Sequence, residues 1–284
     1  MKDPAARPVA SLMSELSPPV DPDDPLEHAE ALMGGFGVCH WPVARDGKLL
    51  GIISLRDLLV EWQRRVRLDE LACARGVNAT VGTVMGLPAL YVRATDDLLV
   101  GAELLSRHRL SCLPIVDKDQ VVGVLTLPDF VHLAVKLLAQ ELGDGERPLA
   151  VEHLMTPAPL VTVQAHARLS TAEIMMRHGH VRQLPVLEGD RLVGLLSDHD
   201  LLAAVHANDE PIETLLAAEV MTRSPPTIEP QTEAALAGML LLQRRMAALP
   251  VVAGSRLVGI LARSDFLSYV RALPLSRRLV DLSR

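Results

Sequence analysis

The chain has 284 residues, enough for about two domains of 100–200 residues each with a sizeable core. Its formal net charge of −7 and its 2% aromatic content argue against the basic grooves and stacking platforms of nucleic-acid binders. The longest apolar run, Ala234–Leu242, falls short of the roughly 20 residues of a membrane helix, and the start, MKDPAARPVASLM, has no apolar stretch suited to export. A cytoplasmic protein without membrane insertion is therefore expected.

Read in chain order, the same phrases return four times. A methionine anchor, Met13 in SLMS, is followed by HWPV with Pro42, a turn at Asp46-Gly47 and the frame GIISLRDLL from Gly51. After the connection Arg64–Gly82, which is partly apolar and helix-like, come Met85 in TVMG, the β-type run Leu90–Val92 and a helical pattern through Leu98, Leu99, Ala102, Leu104 and Leu105. This second copy then shows CLPI with Pro114 and GVLTLPDFV from Gly123. The polar stretch AQELGDGERPLA, Ala139–Ala150, separates it from the third copy. That copy has Met155 in HLMT, a β-type run Leu160–Val163, a helix through Leu169, Ala172, Ile174, Met175 and Met176, QLPV with Pro185, a turn at Gly189-Asp190 and GLLSDHDLL from Gly194. The fourth copy carries Met221 in EVMT, ALPV with Pro250, Gly254-Ser255 and GILARSDFL from Gly259.

The frame glycines lie 72, 71 and 65 residues apart, and each proline stands nine residues before its glycine. Gly, Asp and Ser between two apolar runs are hairpin chemistry, so each unit reads β-α-β-β-α. A unit of about 55 residues has too small a core to stand alone. Because the longest polar connection follows the second copy, the expected division is 1–141, with repeats about 8–63 and 80–138, and 149–284, with repeats about 149–206 and 215–273.

Methionine anchor, LPV-type strand, hairpin and GhhSxxD helix together resemble the cystathionine-β-synthase (CBS) domain, here as four repeats paired into two Bateman modules of the α/β (α+β) class. The resemblance implies a non-enzymatic regulatory protein. Its clefts between paired domains would take adenosine-containing ligands such as AMP, ADP, ATP or S-adenosylmethionine. Homodimerisation and signalling in trans to an effector protein are further expectations of the family.

The chemistry suits that expectation. A helix opened by SxxD points N–H groups and a positive dipole end outward for a phosphate. Its Asp can accept ribose hydroxyls, and an apolar slot with backbone groups suffices for adenine. The candidate frames are Ser54 with Asp57, Thr126 with Asp129, Ser197 with Asp200, and Asp265, whose frame has Ala262 in place of the hydroxyl. Arg56, Arg182 and His199 supply charge for a phosphate. The third copy, holding the latter two, offers the leading cleft. By the resemblance, the lead-in loops after the methionines contribute Thr156, Pro157, Thr162 and Thr222. The same SxxD pattern is equally a helix capping box, and the two readings stay open on sequence alone.

Other features read as structural. Cys39, Cys73 and Cys112 lack zinc-type spacing and are expected to be reduced and buried. His178 and His180 fit a helix end better than a metal site, so no metal and no catalytic cofactor is expected. Met33, Met175, Met176, Met239 and Met246 are expected in the core, and Arg244-Arg245 at a solvated helix end. No nucleophile–base pair or P-loop suggests an enzyme. The rival to a sensor is a scaffold of CBS domains with vestigial clefts.

Overall fold

The computed structural model describes residues 8–13, 19–70, 79–87, 89–143, 147–208 and 212–273. The first unit contains α1 (Leu26–Phe36), β1 (His40–Arg45), β2 (Lys48–Ser54) and α2 (Leu55–Glu70). The second follows with α3 (Val81–Val84), β3 (Val92–Arg93), α4 (Leu98–His108), β4 (Cys112–Asp117), β5 (Gln120–Thr126) and α5 (Leu127–Gly143). The third has β6 (Thr156–Pro157), β7 (Val163–Gln164), α6 (Leu169–Gly179), β8 (Gln183–Glu188), β9 (Arg191–Ser197) and α7 (Asp198–Asn208). The fourth has α8 (Ala217–Val220), β10 (Thr222–Arg223), α9 (Ala234–Gln243), β11 (Ala248–Ala253), β12 (Arg256–Ala262) and α10 (Arg263–Ala272).

Each unit is centred on one antiparallel hairpin, and all four hairpins carry a register shift just after the residue opposite the frame glycine, as at Val43 opposite Gly51 and Val186 opposite Gly194. The turns use positive φ at Asp46 and Gly47, at Gly189 and at Gly254, and also at Lys118 and Asp119, where no glycine marks the turn. The strand ahead of the helix is shorter than its apolar run suggests. In the third unit only Val163–Gln164 pairs, in parallel, with Val186–Leu187. Pro185, one residue before, has no N–H to offer the chain upstream, so Ala158–Thr162 runs on as a loop that can line a site.

The methionine anchors do not pack on their own units. The segment Pro8–Leu12 lies on the second unit, where the Val9 N–H donates to Asp96 O at 2.9 Å, and Met13 sits over Gly123. Met85 returns the contact over Gly51, Met155 sits over Gly259 and Met221 over Gly194. A Cβ on Gly194 would lie 2.2 Å from Met221 Sδ and one on Gly259 2.5 Å from Met155 Sδ, so only glycine leaves room. Short strands complete the exchange, with β6 pairing β12 and β10 pairing β9. First and second units are thereby joined, as are third and fourth.

Helices join the pairs to each other. One hydrophobic cluster unites the first and third units, with α2 against α7 through Leu58, Leu59, Leu201 and Val205. The other unites the second and fourth, with α5 against α9 and α10 through Phe130, Ala134, Ala237 and Phe266. Met33 and Met176 are core residues, and Met175 and Met246 pack against the clusters. Met239 departs from expectation at 43% exposure. It shares an outward face of α9 with exposed Leu236, because α9 is apolar all round and buries only the side facing α5 and α10. Cys112 is buried as expected, Cys39 is only half-buried, and Cys73 lies outside the described residues. Among the described residues no helix is long and apolar enough to cross a membrane.

Candidate functional site

Where the four units converge, two neighbouring cavities open. The larger, about 440 Å³, takes lining from all four: Cys39, Arg109, the third unit's lead-in loop at Thr156 and Pro159–Val161, Arg182, and the start of α10 from Arg263 to Asp265. The smaller, about 260 Å³, is lined by Cys39, His40, Ser54, Arg56, His108, Arg109, His180, Arg182 and Asp198. The strand exchange explains this composition. Because β6 pairs with β12, the lead-in loop of the third unit faces the frame of the fourth.

Backbone caps bring the charges inward. Gly37 ends α1 with φ 63°, and the equivalent left-handed position is held by Arg109 (φ 53°) after α4 and His180 (φ 52°) after α6. Non-glycine residues adopt this conformation at some strain. Here the caps meet across the two halves of the chain. Arg109 Nη1 donates to His180 O at 3.2 Å and Arg182 Nη2 to Arg109 O at 2.5 Å. Arg263 Nη1 donates to Gly37 O at 2.6 Å and Arg245 Nη1 to Gly35 O at 3.2 Å.

Burial sets the protonation pattern. His40 is pushed down to about 3 by burial, with Arg182 and Arg56 adding to it, and its Nδ1 accepts the Ser111 N–H. His199 is lowered by burial and then by Arg263 and Arg182. Asp198 is raised by burial despite Arg182 and Arg56, and Asp265 is raised to about 6 by burial against the pull of the Ala262 N–H.

The frames themselves form capping boxes. Asp57, Asp129 and Asp200 each use Oδ2 to accept the N–H and the hydroxyl of Ser54, Thr126 and Ser197, at 2.6–2.8 Å. In the fourth frame Asp265 Oδ2 accepts only the Ala262 N–H, at 2.7 Å. Of the residues singled out by sequence, Thr156, Arg182 and Asp265 line the larger cavity, and Ser54, Arg56 and Arg182 the smaller. Pro157, Thr222, Asp57, Ser197, His199 and Asp200 line neither, Thr126 and Asp129 are buried, and Thr162 lines an outer groove with Leu160 and Arg256. Arg109, Cys39 and Arg263 were not singled out. Arg263 occupies a frame position filled elsewhere by Leu or Asp, and Arg109 a left-handed cap position held by Gly37, His180 and Arg245 in the other units, so only the second and fourth units share an arginine there.

Comparison with known proteins matches this architecture. The profile of the CBS domain fits residues 9–63, 81–136, 151–207 and 217–272. An inosine-5'-monophosphate dehydrogenase of Thermoplasma acidophilum is 24% identical over 71% of this chain, which spans about 38% of that enzyme's length. The CBS domain-containing protein YhcV of Bacillus subtilis is 29% identical over 43% of this chain and 79% of its own. The crystal structure of protein MJ1225 from Methanocaldococcus jannaschii superposes with a TM-score of 0.77 at 19% identity, covering 93% of this chain and 99% of that one, a likeness of fold. The chain belongs to the CBS domain family, with four repeats paired into two Bateman modules.

Proposed function

We propose that the chain is a non-enzymatic regulatory sensor of adenosine-containing ligands, with AMP, ADP, ATP and S-adenosylmethionine as the candidate class. The observation that carries this reading is the cavity of about 440 Å³, within the range of about 300–1,000 Å³ typical of small-molecule sites. In it the apolar residues Pro159, Leu160 and Val161 face Asp265 and a group of arginines. Adenine would lie on the apolar lead-in loop, and Asp265 would accept ribose hydroxyls through its carboxylate.

Signalling would follow from the placement of the cavity between the halves, 1–141 and 149–284. A ligand that binds one packing of the halves more tightly than another shifts the population toward it, and one that binds both equally regulates nothing. The signal would pass in trans to an effector protein. An exposed groove lined by Leu50, Leu87 and Tyr91 offers apolar surface to that partner or to the second chain of a homodimer.

The test is isothermal titration of the nucleotide-stripped chain, preceded by mass spectrometry of whatever it carries from the cell. Saturable micromolar binding of an adenosine compound, weakened at least tenfold by Asp265→Ala, supports the reading. Silence across the panel would favour the scaffold.

A further inference from the structure

We propose that the groove between the hairpins of the first and second units seats a second copy of this chain, in a two-fold dimer with Leu87 and Tyr91 at its centre and Lys48 set against the partner's Asp119. This commits the groove to a second chain rather than to an effector, and it stands whether or not the central cavities take an adenosine compound.

The helical faces behind the hairpins are already used. All four helices that follow a hairpin pack inside the chain, α2 against α7 and α5 against α10, so a second chain cannot reach those faces without opening the two clusters. Self-association needs another surface, and the hairpin rim offers one. There the Val121 N–H donates to Gly47 O at 2.8 Å and ties the two hairpins together. With the lead-in loop of the second unit they enclose a groove of about 740 Å³. In it Leu87 is 69% exposed, Tyr91 46% and Leu50 38%. Single exposed apolar side chains carry no message, but three large ones lining one groove mark a contact surface.

The second half builds the same groove with different chemistry. Val92 pairs with Ile115 as Val163 pairs with Val186, so Tyr91 corresponds to Thr162 and Leu87 to Ala158. Leu160, the large apolar residue of that lead-in loop, is half-buried because it also lines the central cavity. Arg191 and Arg256 stand on the rim, directly opposite each other in the pairing of β9 with β12. An apolar partner surface would desolvate both guanidiniums, so of the two grooves only the first suits an apolar contact.

Charge names the occupant. Lys48 from the first hairpin and Asp119 from the second both line the groove, and among the described residues neither forms an ion pair within the chain. Two copies related by a two-fold axis through the groove set each Lys48 against the partner's Asp119, while the apolar side chains meet at the axis. A copy of this chain thus carries the matching surface already. In a chain of net charge −7, copies meeting by an acidic face would repel, and this balanced rim avoids that.

Sedimentation velocity of the full chain across micromolar concentrations, with far-UV circular dichroism to confirm folding, tests this. The expected result is a concentration-dependent dimer whose dissociation constant rises at least tenfold in Leu87→Glu, which places a carboxylate at the axis. Lys48→Glu should weaken the dimer about threefold, because rim ion pairs are worth little each, and adding Asp119→Lys should return it to within about twofold of the parent. The neighbouring Lys118, at φ 48°, shows that this turn accepts a lysine in the left-handed region. Should the double variant fail to fold, Leu87→Glu decides alone. A monomer at every concentration would overturn the inference and leave the groove to an effector protein. A dimer indifferent to Leu87→Glu and Lys48→Glu would overturn it as well, by placing the contact elsewhere. None of these readouts involves an adenosine compound, so the sensor reading stands or falls separately.

Discussion

Asp265 differs from its three counterparts in having no hydroxyl partner, one N–H bond and a pKa lifted to about 6 by burial. A carboxylate accepts ribose hydroxyls better than a protonated acid does, so adenosine affinity should fall as pH is lowered from 7 to 5, and Asp265→Asn should flatten that profile. Adenosine is the right probe, because a phosphate monoester itself titrates near pH 6. The sign for stability is opposite. With the folded pKa above the unfolded value of about 3.9, the group's contribution is fully present below that value and is lost as pH rises through about 6. Asp265→Asn should therefore raise the thermal midpoint at pH 7 and lose that advantage near pH 4; an unchanged or lower midpoint at pH 7 would contradict the burial argument. The residue was legible in the sequence through its register with three other aspartates. Its cavity partners Arg109 and Arg263 were not, since a repeat reveals what recurs: Arg263 occurs once at its register position, and Arg109 is matched only by Arg245 of the fourth unit, with Gly37 and His180 in the other two.

At the scale of elements, the four methionine–glycine contacts are the feature that period alone concealed. The sequence shows four methionines and four glycines in register, but an exchange of lead-in segments between paired units leaves every spacing unchanged. It follows that Thr156 looks onto the frame of Asp265 rather than that of Asp200. The exchange is testable at Gly194, where an added methyl would meet Met221 Sδ at 2.2 Å and Cγ at 2.8 Å. Overpacking of this kind costs about 1–3 kcal/mol, so Gly194→Ala should lower the urea midpoint accordingly. Adding Met221→Ala should restore part of the loss, a coupling seen only between residues in contact. Purely additive effects would mean that the fourth unit's anchor does not rest on the third unit's hairpin. The hairpins and helices were readable from turn residues and apolar spacing. The truncated strand at Val163 was not, because its end is set by a proline in another strand, Pro185.

For the whole molecule, the linker composition suggests two bodies joined by a polar stretch, yet each hydrophobic cluster is built chiefly on one unit from either half, with the exchanged lead-in segments of the other two added to it. Unfolding one half would strip the other of its helical partner, exposing Leu201, Leu202 and Val205 in the first cluster or Phe266, Leu267 and Val270 in the second. Burial of several such side chains, at about 1.5–3 kcal/mol each, is comparable to the whole stability of a domain, about 5–15 kcal/mol. The halves should therefore unfold together. The two tryptophans, Trp41 and Trp62, both lie in the first unit, so their fluorescence reports that half alone, whereas far-UV circular dichroism reports every helix. In urea the two signals should trace one coincident transition, the criterion of a single cooperative step. A circular-dichroism curve with a second step absent from the fluorescence would instead make the halves independent. Such independence would also remove the means by which a ligand at the central arginines could alter the packing of both.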